Sequence, residues 1–344
     1  MTRILICDDS RAFAAGLKRF LEHDGDLRVV ARAVGAEQAV AEVQRVRPDL
    51  VTMDIEMPGL DGIEATRRIL ALRPVPIIVI SGHTPRGSER AAAALAAGAV
   101  DVISKAAVRL ETIDSPAAVL LRQRIRRLAR PPGQRSGPRA APGRGGVPTA
   151  PAPVAHATVV AIAASTGGPQ ALLQILSALP GGYGIPVLVV QHMTPGFTGG
   201  LASWLDQQVA VPVALAAEGE RLGPGVWFAP EGAHLRIDPL MRAALDPGSG
   251  AELYRPAADI LLRSAAEVAG GGAVGVVLTG MGRDGAAGIA AVRAAGGLTV
   301  AQDEASSVVW GMPGAAIEQG AELVLPPAEI GALLGGLVPA ARRR

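Results

Sequence analysis

The chain has 344 residues, 49% hydrophobic but only 3% aromatic, with 33 Lys and Arg against 31 Asp and Glu for a formal net charge of +2. That length favours two domains over one, with sizeable cores built mostly from Ala, Val, Leu and Ile. Its one cysteine, Cys7, excludes an intramolecular disulfide and fits a reducing compartment. At the N-terminus the apolar run Ile4–Cys7 stops at Asp8-Asp9, too early for the apolar core of a signal peptide. No apolar run approaches the ~20 residues that span a bilayer, so a cytoplasmic protein with no membrane insertion is expected.

Short apolar runs at Ile4–Cys7, Leu27–Ala31, Leu50–Met53, Ile77–Ile80 and Val100–Ile103 alternate with amphipathic stretches at Ala12–Glu22, Glu37–Val46 and Ile63–Leu72. Such alternation predicts a parallel sheet with crossover helices, followed by a helix over Glu111–Ala129. Between Pro131 and Pro153, seven prolines fall among 23 residues mixed with Gly, Ala and Arg, the composition of a tether that cannot bury a core. Eight arginines lie between Arg122 and Arg144. With no aromatic residues interleaved to stack on bases, they read as a solvated helix end and tether, not a nucleic-acid surface. Beyond the tether, strands are expected at Thr158–Ala164, Pro186–Gln191, Ala273–Thr279 and Leu298–Ala301, and helices at Pro169–Leu179, Asp259–Ala269 and Ala286–Ala295. Val226–Ala229, Leu235–Asp238 and Met241–Asp246 read as a short antiparallel excursion. Ligands belong at the carboxyl ends of the parallel strands.

Polar residues follow four of the first strands: Asp8 and Asp9, then Asp54, Ser81 and Lys105. In a parallel sheet these ends meet on one edge. Crowded carboxylates there suit a hard divalent cation such as Mg²⁺, and one of them can accept a phosphoryl group if a metal, a hydroxyl and a lysine balance its charge. Asp8-Asp9-Ser10, Met53-Asp54-Ile55-Glu56-Met57-Pro58 and Asp61-Gly62 resemble the pattern of response-regulator receiver domains. The resemblance implies that Asp54 is phosphorylated by a histidine kinase, that Asp9, Asp54 and the Glu56 carbonyl bind Mg²⁺ with help from Asp8, and that Ser81 and Lys105 contact the phosphoryl group. Val102 stands where the family usually has an aromatic residue, and Ala106 where it usually has proline.

In the second half, the strand to Ala164 runs into Ser165-Thr166-Gly167-Gly168-Pro169. A serine at a strand-to-helix turn presents its hydroxyl at the sheet edge, where backbone N–H groups can hold an oxyanion. A helix N-cap with a phosphate cradle fits the same residues. His192, after the run Pro186–Val190 and Gln191, is the best placed of the five histidines to act as a base. Asp284, in Gly280-Met281-Gly282-Arg283-Asp284-Gly285, can orient it. A nucleic-acid-binding output domain and a non-catalytic phosphate module are the competing readings.

Several stretches together resemble the catalytic domain of the chemotaxis protein-glutamate methylesterases, the CheB family. They are Ala164–Pro169, Gln191-His192-Met193 with Gly196-Phe197, Arg255–Asp259, Leu278–Gly282 with Asp284-Gly285, and Ser306–Pro313. The resemblance implies two doubly wound parallel-sheet domains: a flavodoxin-like receiver at 1–128 and a Rossmann-like α/β esterase at 154–344, joined by a linker at 129–153. It further implies Ser165 as nucleophile, His192 as general base, Asp284 as its orienting partner, and Thr166 and Met281 as backbone oxyanion donors, with no cofactor for the esterase chemistry. Methyl-accepting chemoreceptors would be the substrates of a monomeric enzyme. Some members of the family also deamidate receptor glutamines. The unphosphorylated receiver would pack over the catalytic cleft. Ala163 stands where the family usually has glycine.

Overall fold

The computed structural model describes residues 1–57, 61–82, 85–108, 112–129, 156–250 and 253–339. Most of the predicted tether, Pro58 of the receiver motif and His83 lie outside them. The chain divides into two compact units, Met1–Arg135 with Met193–Leu201, and Ser136–His192 with Ala202–Arg344.

In the first unit β1 (Thr2–Cys7), β2 (Leu27–Ala33), β3 (Leu50–Asp54), β4 (Ile77–Ser81) and β5 (Asp101–Ser104) form an all-parallel sheet of order β2-β1-β3-β4-β5, the flavodoxin-like order. Helices α1 (Arg11–Glu22), α2 (Ala36–Val46) and α3 (Gly62–Leu72) fall where the periodicity placed them. Helix α4 (Pro85–Ala96) was not predicted: its buried residues include Ala91, Ala92 and Ala94, and alanine gives little amphipathic contrast. The last helix, α5, covers Pro116–Leu128 rather than the predicted Glu111–Ala129 and begins at Ser115, whose hydroxyl accepts the Ala118 N–H. Cys7 is buried, and burial pushes its thiol pKa up, as an inert core residue requires. Val102 packs in a cluster with Ile55, Val79, Leu95 and Phe197. Ala106 donates its N–H to Ser104 Oγ at 3.2 Å, a bond that proline could not make.

The arginines of α5 are not the solvated helix end that composition suggested. Arg122 is 1% exposed, donating to Asp24 at 2.7 Å and to the Ile113 carbonyl at 2.7 Å. Arg124 pairs with Asp101, and Arg126 with Asp24 and with Asp26. Hydrogen bonds from Arg122 and Arg126 hold the Asp24 carboxyl at about 2. A depressed carboxylate stabilises the fold above its ordinary range near 4 and stops doing so as pH falls toward 2. Arg122→Met is therefore expected to cost about 2 kcal/mol, below the ~3–5 of a fully buried pair because Asp24 keeps Arg126 and some water. It should also flatten the acid limb of stability between about pH 4 and 2. Urea unfolding of the first unit against pH measures both.

The second unit is built on a seven-stranded sheet of order β14-β13-β12-β6-β7-β9-β8, with every strand pair parallel. Its strands are β6 (Val159–Ala164), β7 (Pro186–Gln191), β8 (Val213–Leu215), β9 (Gly225–Phe228), β12 (Ala273–Val277), β13 (Leu298–Gln302) and β14 (Leu323–Leu325). The chain builds outward from β6 to β7, then returns to lay β12 on the other side, so the switch in strand order falls between β6 and β12. Only β10 (His234–Ile237) and β11 (Ala243–Asp246) form the antiparallel excursion. Val226–Ala229 was misassigned to it, because β9 joins the main sheet parallel to β7, where Val226 and Phe228 are buried. Val159, Ala161 and Ala163 of β6 pack in one core with helices α8 (Ala258–Ala269) and α9 (Ala286–Ala294). The alternate residues Val160, Ile162 and Ala164 are fully buried too, so both faces of the strand are covered. Helices α6 (Gly168–Ser177), α7 (Thr198–Gln208), α10 (Met312–Glu318) and α11 (Pro327–Gly335) complete the chain. Among the described residues no helix is long and apolar enough to cross a membrane.

Candidate active site

At the carboxyl edge of the first sheet, oxygens of Asp8, Asp9 and Asp54 all lie within 4.8 Å of one another. Asp8 and Asp54 are buried and Asp9 is exposed. Lys105 Nζ sits 2.5 Å from Asp54 Oδ2 and 3.1 Å from Asp8 Oδ2, tying the ends of β1, β3 and β5 together. Burial raises the Asp8 pKa, with Lys105 acting against it. Asp54 Oδ1 accepts the Glu56 N–H at 3.1 Å, and Ser81, 1% exposed, ends the neighbouring strand. Asp61 caps α3 by accepting from Ile63 and Glu64. The Gly62 that follows is required: a Cβ there would lie 2.2 Å from the Asp54 carbonyl oxygen. Three hard carboxylates open to solvent through Asp9 fit a divalent cation bound through oxygen.

At the carboxyl edge of the second sheet, Ser165 leaves β6 beside the strand-order switch. Its N–H donates to the Thr279 carbonyl at 3.0 Å, binding the ends of β6 and β12. Its carbonyl accepts from Gly168, in the first turn of α6, and from Gln191 Nε2, both at 2.8 Å. Gly280 lets the next loop come close, since a Cβ there would sit 2.7 Å from Ser165 Cβ. On the adjacent strand end, His192 donates its backbone N–H to the Ala164 carbonyl at 2.8 Å. Ser165 and His192 are 7% and 8% exposed, so little water reaches either.

His192 Nε2 lies 2.9 Å from Asp284 Oδ2, within hydrogen-bonding distance of the carboxylate. Its Nδ1 is buried with no hydrogen-bond partner among the described residues. Asp284 is itself held by two backbone donors, Ala258 N at 2.7 Å and Asp259 N at 2.9 Å, the first N–H groups of α8. Burial raises the Asp284 pKa, but the His192 ring and these two N–H groups outweigh it and keep the group below its ordinary value. Asp259 returns the arrangement, accepting from Gly285 at 3.0 Å and Gly288 at 2.7 Å at the start of α9. Each aspartate thus caps the helix that begins at the other. His234 Nδ1 takes the preceding N–H, that of Ala257, at 3.0 Å.

The structure therefore brings Ser165, His192 and Asp284 to one sheet edge, as the strand-end pattern anticipated. The Met281 N–H is taken up by no hydrogen bond among the described residues. Thr166 is buried, with its carbonyl accepting from Thr279 Oγ1 at 2.9 Å. Ala163 faces Gly285, where an added Cβ would meet the Ala163 methyl at 3.3 Å. The roles of Asp259 and His234 in holding Asp284 and the start of α8 were not read from sequence. A lone Asp in a helix's first turn and a His in a strand carry no local mark of what they hold.

Fold and sites together define the class: a chain joining a receiver-type acid pocket to a parallel-sheet domain with a serine, a histidine and an aspartate at one edge. Family models match on both counts, the response regulator receiver domain over residues 4–114 and the CheB methylesterase over 160–334. A protein-glutamate methylesterase/protein-glutamine glutaminase of Paramagnetospirillum magneticum is 43% identical, covering 96% of this chain and 94% of that protein. One from Syntrophus aciditrophicus is 41% identical over 97% of both. The crystal structure of the Thermotoga maritima CheB methylesterase catalytic domain is 41% identical with a TM-score of 0.52, covering 53% of this chain and 99% of that one. The chain belongs to the CheB methylesterase family.

Proposed function

We propose that the chain is a receiver-controlled serine esterase that hydrolyses glutamyl methyl esters on methyl-accepting chemoreceptors. The convergence of Ser165, His192 and Asp284 at the carboxyl ends of β6, β7 and β12 carries the reading. Ser165 Oγ attacks the ester carbonyl while its proton passes to His192. Asp284 stabilises the resulting imidazolium, and the N–H groups of Met281 and Thr166 face the oxyanion. The methoxide leaves with the His192 proton as methanol. Water, deprotonated by the same ring, then cleaves the acyl-serine to free glutamate. The same cycle run on a glutamine side chain releases ammonia, the glutaminase activity carried in the relatives' names.

The receiver spans 1–128, the esterase 154–344, and 129–153 is the tether. A histidine kinase phosphorylates Asp54. Mg²⁺ held by Asp8, Asp9, Asp54 and the Glu56 carbonyl would offset the added negative charge. Ser81 and Lys105 contact the phosphoryl oxygens, so Lys105 exchanges its present carboxylate partners for the new group. The protein works as a cytoplasmic monomer.

Methanol release from methylated receptor membranes by the full chain, with and without acetyl phosphate, is the test. Release that rises with the phosphodonor is expected. A chain that releases none under either condition would overturn the substrate assignment.

A further inference from the structure

Tyr254 lies flat on the imidazole of His192. The ring centroids are 4.4 Å apart and the planes 11° from parallel. This contact is informative because the imidazole is otherwise held at one nitrogen only. Its Nε2 lies 2.9 Å from Asp284 Oδ2, and its Nδ1 has no partner among the described residues. Asp284 therefore fixes one edge of the ring, and no polar contact at the Nδ1 edge opposes a tilt about it. The face contact can.

Tyr254 is held in turn. Its phenolic oxygen sits over Gly282, where an added Cβ would come within 3.2 Å of it. The phenol is thus placed between the imidazole and the loop that carries both Met281 and Asp284. Its backbone leads within five residues through the N–H groups of Ala257, Ala258 and Asp259, held by His234 and Asp284. Half-buried itself, the ring also covers one face of the imidazole against water.

We propose that Tyr254 is a positioning residue for His192. Its π face holds the imidazole in the plane from which Nδ1 serves Ser165, and it stabilises the imidazolium formed when the serine proton is taken up. The inference rests on the esterase reading of the site. Attraction between an imidazolium and a π face converts to about a 2- to 30-fold effect on rate when partly desolvated. The effect belongs in kcat, because the cation exists only after the proton has moved.

The experiment compares Tyr254→Phe, Tyr254→Trp and Tyr254→Leu in the full chain with acetyl phosphate. It measures kcat and KM for methanol release and, separately, the rate at which a fluorophosphonate labels Ser165. Phe and Trp, which keep a π face, should stay within about threefold of the parent, whereas Leu should lower kcat about 10-fold or more with KM within about twofold. Labelling should slow by the same factor, because it needs the same base. If the Leu variant fails to fold, Tyr254→Met replaces it with the same expectation. A Leu or Met variant with unchanged kcat and labelling overturns the proposal. So does a change confined to KM, which would make Tyr254 a substrate contact, or a Phe variant as slow as Leu, which would assign the effect to the hydroxyl. If the parent labels at Ser165 with this Tyr254 dependence but releases no methanol, the substrate reading fails and the positioning role stands. If the parent releases methanol and Leu matches it, only the positioning role fails.

Discussion

Ser165→Ala is expected to lower the rate of methanol release by about 10⁴-fold or more while leaving the fold intact. The variant loses one hydroxyl from a side chain that is 7% exposed. The backbone bonds that shape the turn, Ser165 N to Thr279 and Gly168 N to Ser165, do not involve the side chain. Without the hydroxyl no acyl-enzyme forms, and His192 is left with nothing to deprotonate but water. Asp284→Asn should be less severe, on the order of 10³-fold, because the nucleophile and its base remain while the imidazolium loses its counter-charge. That variant should also cost about 1 kcal/mol of stability, since both Asp284 oxygens accept from α8 N–H groups, Ala258 and Asp259, and an asparagine amide nitrogen cannot replace one of them. Methanol assays on purified variants, with unfolding midpoints beside them, read both effects. Substantial turnover by Ser165→Ala would remove the serine from the mechanism.

Asp54→Asn should abolish stimulation by acetyl phosphate and hold the rate within about twofold of the unstimulated parent, because the side chain that would carry the phosphoryl group is gone. Asp54 is 3% exposed at the end of β3 and pairs with Lys105. Asparagine keeps the shape and an acceptor for the Glu56 N–H but cannot form an acyl phosphate. The Lys105 ammonium would keep Asp8, 3.1 Å away, as its partner, so the edge of the sheet should hold together. Basal methanol release by this variant shows that the loss is of control and not of chemistry. Stimulation that survives the substitution would mean that another group accepts the phosphoryl, and the acid pocket would have been misread.

Much of this was open to a reader of the sequence. Parallel strands buried on both faces are continuous apolar runs, so their ends are sharp, and the polar residues just beyond them, Asp8, Asp54, Ser165 and His192, stand out against Ile, Val and Ala. Glycines beside them mark close approaches of backbone, as Gly62 and Gly280 prove to be. The alanine-rich α4 and the place of β9 were harder. The first lacks contrast between its faces, and the second depends on which edge a short apolar run joins, a choice made by packing against β7.

What the sequence by itself determined is the set of chemical groups and the sheet edge each belongs to, because strand periodicity and strand ends are local properties of the chain. Which of those groups meet was decided only in the tertiary structure. Strand order places β12 and β7 on either side of β6, and so sets Asp284 against His192 across a long stretch of chain. The crossed caps of Asp259 and Asp284, the His234 bond to Ala257 and the Tyr254 stack on His192 arise the same way. So does the burial of Arg122, which in sequence is one arginine of a basic run and in the fold is a buried cation on Asp24. Local propensity has no bearing on such pairings. They form because buried donors, acceptors and charges must find partners wherever packing brings them, and only the folded chain shows which partners are near.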